Sequence, residues 1–354
     1  MKPVMSSLAE IARICGVSIG ATSKALSGKA GVSETTRQRI LSVAAQHHYR
    51  PNRLVHAIQK GRSMTIGLTC NDFRDDFSGR IVEGMLEVLY EAAYDTIVIS
   101  WDLCVHEGEK VLRTFTERRV DGLLMFPPGD QPTPAYLQEL RTFQRPIVVV
   151  DQTFAGVEEY AFVGSQDYEG GIAATEHLIE LGHRRIANIF HRKISTGRAR
   201  VEGFRHAMER HGLPVRETWM RDIQNYGSEE IYRHARELLT MEEAPTAIVC
   251  FNDWVAMDVL AATQDCGRRV PEDVSIVGFG DLRIASAVRP RLTTIAQDPI
   301  GIGRHAVRHL LTQLRAVNQQ EEELRDTPPT PVSDRLPVRL VHRDSTRPAV
   351  RQSF

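Results

Sequence analysis

Ser18, Ile19, Gly20, Ala21, Ser23 and Lys24 fall within one seven-residue stretch near the start of the chain. Their chemistry is recognition, not bond-making. Lys24 can donate to guanine O6/N7 or to a phosphate oxygen, and sequence does not choose between them. Ile19 offers only apolar contact, of the kind a thymine methyl takes. Ser23 can reach a phosphate. Gly20 costs about 1 kcal/mol of helix propensity relative to Ala, and in return lets backbone and DNA approach closely.

The flanking residues predict the elements that hold this stretch. Ser7 and Glu10 fit a capping box, and Leu8, Ile11, Ala12 and Cys15 give the helix an apolar face. Gly16 suits the left-handed residue that ends it. Ser18 then caps a second helix whose first turn faces base edges. Ser33 to Arg37 opens a third helix, and Val32, Ile40, Val43 and Ala44 complete a small core. Pro51 ends that helix. By composition, residues 52–61 could be a plain linker. Residues 1–62 contain ten Lys/Arg and two acids, so this head carries about +8 and the remainder about −9. A basic module on an acidic body implies a polyanionic partner for the head alone.

The rest of the 354 residues alternates short apolar strands with helices. Strands are expected at 65–69, 96–101, 122–126, 147–150, 162–164, 186–190, 247–251 and 275–279, with helices between them. This pattern predicts parallel sheets covered on both faces, with ligand binding at strand C-terminal ends. The loops there supply Asn71, Phe73, Phe77, Trp101, Asp151, Thr196, Arg200, Tyr226, Asn252, Asp281 and Gln297. Aromatic plates among amide, carboxylate and guanidinium groups suit a sugar, whose ring faces stack while its hydroxyls take hydrogen bonds. Phe73 and Phe77 serve equally as lobe core, and Asp253 as a helix cap. Asp72, Arg74, Asp75 and Asp76 read as solvated surface or as a gate over the ligand.

Five scattered cysteines (15, 70, 104, 250 and 266) contain no CxxC pair, which argues for a reducing compartment and against a disulfide framework or zinc site. No apolar run approaches membrane-spanning length. A cytoplasmic protein without cofactor or metal is expected. The Pro-rich stretch at 325–331 reads as a loop.

The pattern VSxxxxSKxLSGKxxVSxxTRxRI over residues 17–40, followed by Tyr49-Arg-Pro-Asn-Arg53, resembles the head of the LacI/GalR (lactose-repressor) family. The resemblance continues to about residue 346 through residues 177–186, 200–204, Asn252-Asp253, 270–279 and 292–295. It implies an all-α helix-turn-helix head (residues 1–50), a hinge (51–62), a periplasmic-binding-protein-like two-lobe effector domain (63–346) and a tail (347–354). The first lobe would comprise 63–163 plus 294–323, and the second 164–292 plus 335–346. The chain would cross between them near 163–165, 291–295 and 323–335. By the same resemblance Ile19, Gly20 and Lys24 read bases. Ser18, Ser23, Ser33, Thr36, Tyr49 and Asn52 contact or support the phosphate backbone, and Ile58 wedges into the minor groove. Arg200, Asn252 and Asp151 fall on effector positions. Ile58 replaces the usual Leu, Ala21-Thr22 the usual Thr-Val, and Gly280 a sugar-contacting Asp.

The expectation is a homodimeric, sugar-responsive repressor on a pseudo-palindromic double-stranded operator. Ligand would shift operator affinity through its differential affinity for two lobe arrangements. A regulator co-repressed by a nucleobase or a protein partner, a transport-associated binding protein and an enzyme using the Asp151 and Asp281 carboxylates are the alternatives. The missing signal peptide counts against the second, and the lack of a nucleophile motif or metal spacing against the third.

Overall fold

The computed structural model describes residues 7–49, 62–70, 75–100, 108–129, 132–224, 227–323 and 332–349. Contacts divide the chain into two units, with the boundary between Met64 and Thr65.

The first unit is three helices, α1 (Leu8–Ile14), α2 (Ile19–Leu26) and α3 (Glu34–Gln46). A serine starts each one. Ser7 Oγ accepts from the Glu10 N–H, Ser18 Oγ from Ala21 and Ser33 Oγ from Thr36. Such caps satisfy N–H groups that the helix itself leaves open, each being worth about 1 kcal/mol. Gly16, at φ +59°, turns the chain between α1 and α2. Arg39 closes the same corner by donating to the Cys15 carbonyl at 2.8 Å, and Arg37 donates to the Lys29 carbonyl at 2.8 Å. The core consists of Ile11, Cys15, Ala25, Ile40 and Ala44, ringed by Val17, Leu26, Val32, Val43 and Tyr49. Thr22 is fully buried, and its hydroxyl donates to the Ser18 carbonyl.

The second unit has two α/β lobes. The first holds six parallel strands in the order β2-β1-β3-β4-β5-β11: β1 (Thr65–Cys70), β2 (Asp95–Ser100), β3 (Gly122–Met125), β4 (Ile147–Val150), β5 (Ala161–Ser165) and β11 (Ser333–Leu336). The second runs β7-β6-β8-β9-β10-β12, built from β6 (Ile186–Phe190), β7 (Met220–Asp222), β8 (Ala247–Cys250), β9 (Ser275–Gly280), β10 (Thr293–Ala296) and β12 (Arg339–Val341). Among the described strands of that sheet only β12 is antiparallel, to β10. Helices α4 (Asp76–Glu91), α5 (Gly108–Glu117), α6 (Pro134–Thr142) and α12 (Pro299–Glu323) belong to the first lobe. Helices α7 (Asp167–Glu180), α8 (Ser195–Arg210), α9 (Ser228–Thr240), α10 (Asp253–Asp265) and α11 (Arg283–Ala287) belong to the second.

Each lobe packs one helix pair backbone to backbone. A Cβ on Gly171 of α7 would strike the Arg200 carbonyl of α8, and one on Gly84 of α4 the Ile300 carbonyl of α12.

The crossings differ from those expected. They fall at Gln166, at 297–298 and at 337–338, between β5 and α7, β10 and α12, and β11 and β12. Strand β10 therefore belongs to the second lobe, where it pairs with β9, and β11 to the first, parallel to β5. The family resemblance placed the third crossing near 323–335, but hydrogen-bonding register, which composition does not carry, places it after β11. The expected tail is in part a docked segment. The Ala349 N–H donates to the Leu181 carbonyl at 2.8 Å, and the Arg347 carbonyl meets His183 Nε2 at 3.1 Å.

Candidate functional site

On α2 the first two turns leave Ile19 (53 % exposed), Gly20 and Lys24 open to solvent. Ala21 and Ser23 are half-buried at the edge of that face, and Thr22 and Ala25 turn into the core. The residues facing out are therefore those whose chemistry suits a groove. Ser18 and Ser33 use their hydroxyls as caps, and Ser33 also donates to Thr36 Oγ1 at 2.8 Å. They can serve a phosphate through the helix N-termini they organise, where the N–H groups and dipole favour an anion. Tyr49 is half-buried against the head core, and burial pushes its phenol up. Asn52 and Ile58 lie outside the described residues, as do Asn71, Phe73, Trp101 and Tyr226.

In the second unit, a charged cluster gathers at strand C-terminal ends. Asp151 follows β4 directly, in the left-handed region at φ +68°. Asp and Asn tolerate that region better than most residues, and such strain is found often at ligand sites. The Asp151 side chain is buried, and its Oδ1 has no hydrogen-bond partner among the described residues. Burial pushes its carboxyl up to about 7, with repulsion from Asp167 and Asp75 adding and attraction to Arg200 opposing. Asp75 caps α4 in the first lobe, whereas Asp167 and Arg200 stand on α7 and α8 of the second. The cluster thus draws on both lobes.

Arg200 is held on several sides. Its Nε and Nη2 contact Asp167 Oδ1 at 2.8 and 2.7 Å, and its Nη1 donates to the Phe251 carbonyl at 2.8 Å. The guanidinium lies 3.6 Å from the centroid of the Phe279 ring and 4.9 Å from that of Phe251. Burial pushes the Asp167 carboxyl up and Arg200 pulls it back. Of five guanidinium N–H groups, three are used among the described residues and two remain to donate. The positive charge is already met by Asp167, so the outer edge offers directed donors without net charge.

The other expected contacts are partly engaged in the scaffold. Asn252 Oδ1 caps α10 by accepting from Val255 at 2.9 Å. Asp253 is not the cap. It is fully buried, accepting from the Leu282 N–H and the Thr294 hydroxyl. Asp281 pairs with Arg343 at 2.5 Å, and Gln297 donates to Ser165 Oγ at 2.8 Å, bracing two crossings against each other. Thr196 is buried in the first turn of α8, and Phe77 packs against the first lobe's core. Ser195 Oγ accepts from the Thr153 N–H at 2.8 Å, a direct link between lobes. Asp167 and Phe251 were not singled out from sequence as site residues, and Asp75 was read only as solvated surface or as a gate. Their spacing carries no motif, and only the meeting of α7, α8 and β8 makes Asp167 and Phe251 partners of Arg200.

A small basic helix-turn-helix unit followed by two α/β lobes with a charged cluster between them defines a ligand-responsive DNA-binding regulator. Residues 7–52 match the model of the bacterial regulatory proteins of the lacI family, and residues 175–346 match a periplasmic binding protein-like domain. The HTH-type transcriptional repressor PurR of Photobacterium profundum is 31 % identical over 325 residues, covering 89 % of this chain and 94 % of that protein. PurR of Escherichia coli O139:H28 is 31 % identical over 344 residues, covering 96 % and 97 %. Among solved structures, the transcriptional regulator CelR in complex with cellobiose is similar at TM-score 0.70 and 27 % identity, covering 96 % of this chain and 99 % of that one. The lac repressor dimer bound to operator and the anti-inducer ONPF shares the fold at TM-score 0.82 and 22 % identity, covering 97 % and 100 %. The chain belongs to the LacI family of bacterial regulatory proteins, and it is a DNA-binding repressor, not an enzyme. Among the described residues no helix is long and apolar enough to cross a membrane.

Proposed function

We propose that the protein is a homodimeric repressor whose two heads grip a pseudo-palindromic operator, and whose affinity for it is set by a neutral, polar small molecule held between the lobes. Ile19, Gly20 and Lys24 read base edges, while Ser18, Ala21, Ser23, Ser33, Thr36, Tyr49 and Asn52 position the head on the backbone and Ile58 enters the minor groove. One head reads too few bases for specificity, so two are needed.

The observation that carries the ligand half is the buried Asp151 Oδ1, unpartnered among the described residues, in the same charge cluster as an Arg200 whose charge is balanced but whose donors are not exhausted. A buried polar group without a partner costs about 1–3 kcal/mol, which a ligand hydrogen bond recovers. An anionic sugar acid gains little here, because Asp167 already neutralises Arg200 and Asp151 repels added negative charge. A neutral sugar, with hydroxyls that both donate and accept, fits best. A second reading rests on the raised Asp151 carboxyl. Near neutrality it can donate and accept at once, which matches the adjacent N–H and C=O of a nucleobase edge acting as co-repressor.

The test is a footprint of the purified protein on its own upstream DNA at fixed salt, with neutral sugars, sugar acids and nucleobases added in turn. Release by a neutral sugar supports the first reading, and tightening by a nucleobase the second. Response to sugar acids alone overturns the charge argument, and no footprint at all overturns the DNA-reading surface.

A further inference from the structure

Away from the charged cluster between the lobes, one group of side chains has a chemistry that neither the head nor the ligand site uses. His305 and His309 stand one turn apart on α12 and so share a face. Asp334 of β11 comes up against both: its Oδ2 lies 2.8 Å from His305 Nδ1 and 3.4 Å from His309 Nε2. The three ligand atoms lie within 4.8 Å of one another. We propose that His305, His309 and Asp334 form a binding site for a divalent first-row transition ion, zinc in the first instance.

The geometry suits that ion. Bonds of about 2.0–2.1 Å in a tetrahedral site place ligand atoms about 3.3 Å apart. The His309–Asp334 separation of 3.4 Å is already there, and the His305–Asp334 separation of 2.8 Å opens by rotation of side chains that are 43 % and 33 % exposed. Two imidazoles and a carboxylate suit zinc, nickel, cobalt or copper. Calcium and magnesium take oxygen ligands instead. Three protein ligands at a half-buried site leave a further position for water. Two neighbouring cations have partners of their own. Arg304 pairs with Glu87 at 2.7 Å, and Arg335 lies 4.7 Å from the centroid of the Phe162 ring.

The site has a structural consequence. Among the described strands β11 is the edge of its sheet, paired with β5 alone, and it leads straight into the third crossing. An ion shared between α12 and β11 pins that edge to the lobe's longest helix. The absence of cysteine spacing hid the site from sequence, because its third ligand arrives from a strand distant in the chain.

Tag-free, full-length protein is stripped with a chelator and titrated with cobalt(II) by visible absorption and with zinc by calorimetry. The expected result is one ion per chain, a ligand-field band, and a raised melting temperature. Since loss of an outer-shell partner alone costs about 10–100-fold in metal affinity, His305→Gln and His309→Gln each weaken binding by about 100-fold or more. Both variants retain operator binding, which shows that they fold. Zinc-edge X-ray absorption of the loaded wild type shows imidazole scattering and no sulfur shell. No saturable binding, binding unchanged in the two glutamine variants, or a sulfur shell each overturns the proposal.

Discussion

Replacing Asp151 by Asn tests the buried carboxyl directly. Asn has nearly the same shape and accepts the left-handed backbone at φ +68°, so the substitution changes charge more than packing. The folded carboxyl is pushed up to about 7 from an ordinary value of 3.8. A group whose folded pKa is raised stabilises fully below its unfolded pKa and loses that contribution as pH rises through the folded one. Ligand-free wild type is therefore penalised progressively from about pH 4 to pH 7, and Asp151→Asn is not. At about 1.4 kcal/mol per unit, the two units between pH 5 and pH 7 make the stability gap between variant and wild type grow by about 3 kcal/mol from pH 5 to pH 8. That corresponds to about 5 °C in melting temperature for a body spanning Thr65–Phe354, at about 2.1 cal/mol/K per residue. Other titrating groups are common to both proteins and cancel in the difference. Melting curves of the two proteins at pH 5, 6, 7 and 8 give the result. A gap that stays constant with pH would mean an ordinarily ionised, solvated Asp151, and the reasoning about an orphaned ligand-binding carboxyl would fail.

Arg200→Ala leaves Asp167 buried without its cation, which for a pair exposed at 11 % and 2 % costs about 3–5 kcal/mol. Asp167→Ala should destabilise comparably, and the double variant by about 1–3 kcal/mol less than their sum in a double-mutant cycle of urea unfolding. Additive losses would show that the two do not act as a pair. Lys24→Ala is expected to weaken operator binding by about 1–3 kcal/mol more than binding to unrelated DNA at the same salt; equal losses place Lys24 on phosphate alone. Gly171→Ala pushes a methyl group into the Arg200 carbonyl and so forces α7 and α8 apart. Loss of about 1–3 kcal/mol is expected in thermal unfolding, and a neutral substitution would show that the crossing is looser than described.

The local elements of the head were legible because their signals lie within four residues of one another. Ser7, Ser18 and Ser33 each cap the helix expected, and Gly16 takes the positive φ that its place in the turn required. The strands of both lobes were legible as apolar runs for a related reason: a strand buried on both faces has no polar alternation to hide it. Strand β7, with burial only at Met220, lacked a strong pattern and was missed.

By itself, then, the sequence determined the basic head, its exposed Ile19, Gly20 and Lys24, the βα alternation of the body and membership in the family. All of these rest on neighbouring residues or on ordered motifs. Only the tertiary structure decided which sheet took β10 and β11, because backbone register is not written in side-chain composition. It alone brought Asp167 to Arg200, left Asp151 Oδ1 without a partner among the described residues and set Asp334 against His305 and His309. Charge balance and ligand geometry depend on distances between elements far apart in the chain, and burial then magnifies those interactions by removing the water that would screen them.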